Sequence, residues 1–311
     1  MNSRKILIID LMHESLVPMF EEAGFEADYQ PKITRQEIID SQDQYLGIIV
    51  RSKTPINAGL LENQREIKFI GRAGAGIDNL DVTYLQSRKT HVINAPEGNR
   101  DALGEHVLGM LLSLSNNLRQ ADTQVRAGIW DREGNRGFEI KGKTVGLLGY
   151  GFMGSSFSEK LNGLGCEVIA YDKYKKGFSN AFVKEATMDQ VFEEADIFSL
   201  HVPLTNETRN LMDSEFLDRF KKNIVFLNSA RGEVVVTEDL VEALKFGKVT
   251  HAGLDVLENE NLQKLTSEQQ TVYSELSRMP NVLFSPHVAG WTYESYENIN
   301  RVLVEKIKGL F

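Results

Sequence analysis

One cysteine in 311 residues, Cys166, excludes an intrachain disulfide and argues for a reducing compartment. It opens the apolar run CEVIAYD, which predicts a buried and unreactive thiol. Positive charge is also short: 35 Lys and Arg face 44 Asp and Glu, a formal charge of −9. A nucleic-acid partner needs a basic surface and is not expected. No apolar stretch approaches the ~20 residues that span a bilayer. The first one, in MNSRKILIIDLMHE, stops at Asp10, too short for a signal-peptide core, and reads as a strand. These absences predict a cytoplasmic protein without a membrane partner. Missing as well are HExxH, Cys/His clusters and paired aspartates, so no metal is expected. There is no GxSxG nucleophile elbow, tandem repeat or low-complexity tract.

What is there is ordinary globular composition, 41% hydrophobic and 25% charged, in a chain long enough for about two domains. The most informative stretch is Thr144–Asp172: an apolar run, the turn GYGFMG, a helical segment, a second apolar run and an acid. That order is what a dinucleotide site requires. Gly149 permits a tight turn, Gly151 lets backbone amides approach a pyrophosphate, and Gly154 lets the helix pack on the strand. Phe152 and Met153 would open the helix, where unpaired N–H groups and the dipole favour phosphate. Asp172 can accept hydrogen bonds from both ribose hydroxyls and would repel a 2′-phosphate, so the expected cofactor is NAD. Lys173, Lys175 and Lys176 soften that preference without reversing it.

Short β-type runs precede this turn at Lys5–Ile9, Gly47–Val50, Ile67–Ile70 and His91–Ile93, alternating with helical candidates Glu14–Ala23, Thr34–Ser41 and Val82–Ser87. Strands alternating with helices imply a parallel sheet covered on both faces. A second series follows at Thr144, Glu167–Ala170, Ile197–Leu200, Ile224–Leu227, Val249–Leu254 and Val282–Ser285. The fold class is therefore α/β, with two doubly wound parallel-sheet units. A long helix over Ala102–Gly128 is expected between them, with Val107, Met110, Leu111, Leu114 and Leu118 on one apolar face. Thr292–Lys308 reads as a final amphipathic helix with Thr292 as N-cap.

Ligands in open α/β sheets bind beyond the carboxyl ends of strands. Three such positions in the second series suit hydride chemistry: Arg231 in NSARGEVV, Glu260 in GLDVLENEN and His287 in SPHVAG. Histidine can take a hydroxyl proton near neutral pH, a carboxylate can orient it, and arginine can hold a substrate carboxylate bidentately. Set against this are a strand-end ion pair for Arg231, a solvated acidic run at Glu258–Glu260 and an ordinary loop histidine. His201 reads as structural packing, and His13, His91, His106 and His251 have no evident partner. In the first series Arg51, followed by Ser52 and Lys53, sits at a strand end. The Gly74–Gly76 turn, with Ala75 between, offers amides to an anion.

With these residues in view the chain resembles the D-isomer-specific 2-hydroxyacid dehydrogenase family, most closely its D-3-phosphoglycerate dehydrogenase branch. IIVRSKT, GRAGAGIDNLD, FEIKGKTVGLLGYGFMG, HVPLTNET, NSARGEVV, GLDVLENE and SPHVAG occur in family order across nearly the whole length. The resemblance implies a flavodoxin-like substrate domain (1–98 and 290–311), a Rossmann NAD domain (99–289) and a cleft between them. It implies Arg231, Glu260 and His287 as the catalytic set. Further NAD contacts are implied at Val202, Pro203, Thr208, Ser229, Ala230, Asp255 and Gly290, and substrate contacts at Arg51, Ser52, Gly74, Ala75 and Gly76. A homodimer is implied through the NAD domain, Arg132 reaching toward the partner's site, and a short form without a C-terminal regulatory domain.

The expected reaction is NAD-dependent interconversion of a D-2-hydroxy acid and its 2-oxo acid, with D-3-phosphoglycerate and 3-phosphohydroxypyruvate as the leading pair, a step of serine biosynthesis. Arg51 and Lys53 favour a phosphorylated substrate. A glyoxylate or hydroxypyruvate reductase, or an NAD(H)-sensing corepressor, are the alternatives. One departure from the family pattern bears on the site. Asn261 stands where proline is usual, which puts the placement of Glu260 in question and leaves Glu258 as a substitute.

Overall fold

A computed structural model describes residues 4–311 apart from 42, 43, 62 and 65, so residues 1–3 of the expected first domain lie outside the described residues. The chain forms two compact units, Met1–Arg100 with Trp291–Phe311, and Asp101–Gly290. Among the described residues the first unit holds one sheet of β1 (Lys5–Ile8), β2 (Glu26–Tyr29), β3 (Gly47–Val50), β4 (Phe69–Arg72) and β5 (His91–Asn94). Its order is β2-β1-β3-β4-β5, with every pair parallel. β1 and β3 carry unbroken apolar runs because both sheet faces are covered. Ile6, Ile8 and Ile49 pack with Phe20 and Phe69 on one face, while Leu7, Ile48 and Val50 pack with Ile38 and Leu85 on the other.

The final helix, Tyr293–Lys308, belongs to this unit. Thr292 caps it in a reciprocal capping box with Ser295, and Ile299, Leu303, Val304 and Ile307 turn inward. They complete the layer over Ile6, Ile8 and Phe69.

Among the described residues the second unit has a seven-stranded parallel sheet: β6 (Thr144–Leu148), β7 (Glu167–Tyr171), β8 (Lys184–Glu185), β9 (Ile197–Leu200), β10 (Ile224–Asn228), β11 (Val249–Leu254) and β12 (Val282–Phe284). The order is β12-β11-β10-β9-β6-β7-β8. Each sheet therefore has one place where the winding reverses, between β1 and β3 in the first unit and between β6 and β9 in the second. Such switch points are where α/β sheets open a crevice beyond their strand ends. Among the described residues no helix is long and apolar enough to cross a membrane.

Three features depart from the sequence reading. The expected helix Ala102–Gly128 is two helices, Arg100–Ser115 and Leu118–Arg126. Asn117 breaks it by adopting φ 51°, a left-handed turn that asparagine tolerates better than most residues. Its side-chain amide donates to the Arg136 carbonyl at 3.2 Å, which fixes the turn. Val107, Met110, Leu111 and Leu114 are buried as expected, but Leu118 is 56% exposed. Strand β4 runs two residues later than the apolar run suggested, because its ladder to β3 continues through Gly71 and Arg72. Finally, β2 and β8 are edge strands without an apolar run, so no pattern marked them.

Leu303 is fully buried whereas Leu118 is exposed. Chemical denaturation of Leu303→Ala should show a loss of about 3 kcal/mol, and Leu118→Ala a change below about 0.5 kcal/mol.

Candidate functional site

The glycine turn lies directly after β6, at the switch point. Gly149 has φ 94°, and a Cβ there would meet the His201 carbonyl oxygen at 2.6 Å and Val202 Cγ1 at 3.1 Å. A side chain at Gly154 would strike the Gly149 carbonyl. The turn is thus closed tightly against the loop after β9. Gly151 is the N-cap of the helix Phe152–Lys160 and supplies no side-chain cap. The first-turn amides, with those of Phe152 and Met153 among them, are left for an external acceptor.

Asp172 follows β7. Its Oδ2 accepts from the Tyr150 amide at 2.9 Å, and its Oδ1 from the Tyr174 and Lys175 amides, each at 2.9 Å. Burial pushes this carboxyl up, but the three amide bonds and the Lys175 charge outweigh it and hold it below the ordinary value. A carboxylate offers about four acceptor positions. Asp172 therefore keeps acceptor capacity beyond its three amide bonds. Lys173 Nζ and the Tyr174 hydroxyl both donate to Glu207, at 2.8 and 2.6 Å, which ties the loop after β7 to the loop after β9.

In that second loop Thr208 Oγ1 donates to the Pro203 carbonyl at 2.6 Å and accepts from the Thr205 amide at 2.8 Å. Thr208 thus shapes the turn after Val202 and Pro203. Burial drives His201 down to about 3. It is neutral at any working pH and bonded to Ser199 at 3.0 Å, a packed histidine.

Arg231, Glu260 and His287 follow β10, β11 and β12, three neighbours in the sheet. Both Glu260 oxygens reach His287 Nδ1, at 2.8 and 3.0 Å. Glu258 is engaged elsewhere, accepting from Thr237 Oγ1 at 2.9 Å. The polar segment after Glu260 is ordered by Asn259, which accepts from the Asn261 amide at 3.0 Å and donates to Gln269 at 3.0 Å. Proline is not needed to aim Glu260. Arg231 leads into a short 3-10 turn whose Gly232 lies against the Leu257 carbonyl, where any Cβ would overlap. The arginine loop and the glutamate loop are therefore in direct contact. Asn228 fixes the first of them, accepting from the Ala230 amide and donating to the Arg231 carbonyl, both at 3.0 Å. Ser229 Oγ is buried without a hydrogen-bond partner.

Asp255 is 1% exposed, and its carboxylate is taken up inside the unit. Oδ1 accepts from Ser285 Oγ at 2.6 Å and the Val288 amide at 2.9 Å, and Oδ2 from the Ala289 amide at 2.9 Å. Its backbone carbonyl takes the His287 amide at 2.8 Å. His106, on the helix Arg100–Ser115, stands 2.9 Å from Ser285 Oγ through Nε2. Rather than simply facing a cofactor, Asp255 ties down the loop that carries His287. The roles of Ser285 and His106 here could not be read from residue order, because their contacts span 30 and 179 positions, whereas Asn228 acts locally without a motif of its own to mark it. Gly290 ends this unit, and Arg132 lies exposed on it.

Arg51 and Asp10 stand at the other switch point. The Arg51 amide donates to Asp10 Oδ2 at 2.5 Å. The guanidinium carbon lies 3.8 Å from the Trp291 ring centroid and 4.9 Å from that of Tyr296. Burial pulls Arg51 below its usual value, partly opposed by Tyr296 and Asp10. Ser52 is exposed beside it. Lys53, expected to help hold a phosphate, donates instead to the Pro31 and Ile33 carbonyls, both at 3.0 Å. In the glycine turn the Gly74 amide bonds to the Arg72 carbonyl at 2.9 Å, so it is not offered to an anion. The amides of Ala75 and Gly76 have no partner among the described residues. Among those residues there is also no group of three or more His, Cys, Asp or Glu that could hold a metal.

The second unit's residues fit a dinucleotide: uncapped helix amides, a turn only glycine can make, a ribose-side carboxylate and an orphaned buried hydroxyl at Ser229. Residues 108–289 match the family described as D-isomer specific 2-hydroxyacid dehydrogenase, NAD binding domain. D-3-phosphoglycerate dehydrogenase of Archaeoglobus fulgidus is 32% identical over 305 residues, which is 97% of this chain and 56% of that protein. The chain thus spans little more than half that relative's length. Hydroxypyruvate reductase of Thermotoga maritima is 32% identical over 287 residues, 92% of this chain and 90% of that one. A crystal structure of D-lactate dehydrogenase from Aquifex aeolicus, complexed with NAD and lactic acid, superposes with a TM-score of 0.83 at 25% identity, covering 98% of this chain and 95% of that chain.

Two outcomes follow for stability. Asp255→Ala strands a hydroxyl and two amides and should cost about 3 kcal/mol or more in urea unfolding, against less than about 0.5 kcal/mol for Glu258→Ala. Asp172 is depressed in the folded state, so its contribution is present above its ordinary value of 3.8 and is lost as pH falls through the lower folded value. The difference in Tm between the wild type and Asp172→Asn should therefore hold at neutral pH and close on acidification; a gap that widens in acid would contradict this.

Proposed function

The chain belongs to the D-isomer-specific 2-hydroxyacid dehydrogenase family, and from that premise we propose that it interconverts a D-2-hydroxy acid and its 2-oxo acid with NAD. The observation that carries the proposal is the bond from His287 Nδ1 to Glu260, at a strand end beside Arg231, in the same sheet as the glycine turn. A histidine that donates from Nδ1 to a carboxylate keeps Nε2 as its acceptor. His287 would take the C2 hydroxyl proton at Nε2, or return it in reduction, while Glu260 fixes the ring. Arg231 would hold the substrate carboxylate and the C2 oxygen through its fork of donors. Its loop is braced by Asn228 on one side and by the Leu257 contact on the other.

Gly149, Gly151, Phe152, Met153 and Gly154 would hold the pyrophosphate, Asp172 a ribose hydroxyl, and the Val202–Thr208 and Ser229–Ala230 loops the remainder of NAD. When bound, that group accepts or donates the hydride at C2 of the acid. Asp255 and Gly290 would act mainly through the loop between them. Exposed Leu118, Val125, Ile129 and Trp130 support self-association through the second unit, and exposed Arg132 follows Trp130 by two positions in the chain.

The motif run and the Archaeoglobus relative support D-3-phosphoglycerate as substrate. A second reading is a small unphosphorylated acid such as hydroxypyruvate or glyoxylate. It is favoured by Lys53, whose ammonium is already engaged by two carbonyls. Initial rates with NADH and with NADPH, across phosphohydroxypyruvate, hydroxypyruvate and glyoxylate, test both substrate and cofactor. NADH should be preferred, and Asp172→Asn should narrow the preference. His287→Ala should lower kcat by about 10²- to 10⁴-fold while leaving NADH binding within about twofold. Turnover unaffected by that change would sink the assignment of the base.

A further inference from the structure

We propose that His106 is a positioning residue for His287: it donates from Nε2 to Ser285, aims the Ser285 hydroxyl at Asp255, and so holds the loop that presents the base. This deepens the dehydrogenase reading and rests on it. All four residues lie in the second unit, Asp101–Gly290.

The direction of each bond follows from a count of protons. Ser285 Oγ lies 2.6 Å from Asp255 Oδ1 and 2.9 Å from His106 Nε2. A hydroxyl has one proton, and an ionised carboxylate has none to give. Ser285 must therefore donate to Asp255, whose two oxygens also accept the Val288 and Ala289 amides. An acceptor at His106 Nε2 would then face a serine lone pair with no proton between them. Nε2 therefore carries the proton. The chain runs one way, from Nε2–H to Oγ–H to the carboxylate, and each bond polarises the next. It ends on the residue whose carbonyl takes the His287 amide at 2.8 Å.

The helix that delivers His106 leaves it little freedom. Leu103, Val107, Met110 and Leu114, on Arg100–Ser115, pack with Leu227 and Ala289 in one buried cluster. Two glycines bring the backbones close. A Cβ at Gly104 would meet Ser156 Oγ at 2.6 Å, on the helix that opens after the glycine turn. A Cβ at Gly253, on β11, would meet Leu114 Cδ1 and Met110 Cε, each at 3.3 Å. His106 is thus tied to the strand that ends in Asp255 and to the helix of the nucleotide turn. Ser285 and His287, by contrast, follow β12, a three-residue strand at the edge of the sheet. So short an edge strand fixes its own loop poorly, and the fixed point comes from His106 and Asp255. Arg231 is braced separately, by Asn228 and the Leu257 contact. Loss of His106 should therefore disturb the base and spare the group that holds the substrate.

The first test is steady-state reduction by NADH, with whichever of hydroxypyruvate, phosphohydroxypyruvate and glyoxylate the full chain turns over fastest. His106→Ala should lower kcat about tenfold with KM within about twofold. Glutamine carries an N–H at nearly the reach of Nε2, asparagine only at that of Nδ1. His106→Gln should therefore recover most of the rate, and His106→Asn should not. In a Ser285→Ala background, where the link is already cut, His106→Ala should cost less than about a further twofold. Equal losses for Gln and Asn, or a loss undiminished in that background, overturn the proposal. The second test needs no turnover. In 15N spectra of histidine-labelled protein at about pH 9, above the ordinary histidine range, the resonances lost in His106→Gln should be those of an Nε2-protonated ring. Ser285→Ala should move them, and an Nδ1-protonated ring overturns the proposal. The Nε2 signature without turnover of any 2-oxo acid would keep the bond but reject the dehydrogenase reading, and with it the role given to His106. Turnover that His106→Ala leaves unchanged would retain the reading and reject the role.

Discussion

The buried carboxylate of Asp255 is the group on which the candidate site depends. It gathers the Ser285 hydroxyl and the Val288 and Ala289 amides at the end of β11, while its carbonyl takes the amide of His287. His287 itself has φ 56°, a left-handed conformation that costs a non-glycine residue roughly 1–2 kcal/mol. Bonds to a charged, desolvated acceptor, at about 1.5–3 kcal/mol each, are enough to hold it there. The contact with His106 extends the lock to the helix Arg100–Ser115. An exposed histidine on a three-residue strand end thereby acquires a fixed direction, which its 46% exposed side chain could not obtain from packing.

The same device recurs at other strand ends. Asp10 holds the amides of Arg51 and Lys53, and Asp172 those of Tyr150, Tyr174 and Lys175. A carboxylate that follows one strand captures amides of a neighbouring connection, so the loops of a parallel sheet become rigid where function needs them rigid. At Asp172 the device limits what remains for a ligand. At Asp10 it fixes where a guanidinium starts, and two aromatic rings then fix where it ends.

Much of the fold could be read from residue order. Apolar runs between helical segments located most of the strands, and the turn at Gly149–Gly154 with Asp172 marked the nucleotide site, because those signals are local. The paired Glu260 and His287 were legible as types at strand ends, although Asn261 obscured which glutamate would reach. What escaped was non-local or unpatterned. Edge strands β2 and β8 have no apolar run. The break at Asn117 depends on a bond to Arg136, and the roles of Ser285, His106 and Trp291 depend on contacts between distant segments. Lys53 shows another non-local contact: two of its three ammonium donors go to the Pro31 and Ile33 carbonyls of its own unit.

Hydride transfer to C2 is the central claim, and it can be followed directly. NADH carrying deuterium at the transferable C4 position should give, with hydroxypyruvate as acceptor, a 2-hydroxy acid one mass unit heavier. The label should lie at C2, one deuterium for each NADH consumed. A product without deuterium, or NADH consumed without a labelled hydroxy acid, would contradict the account.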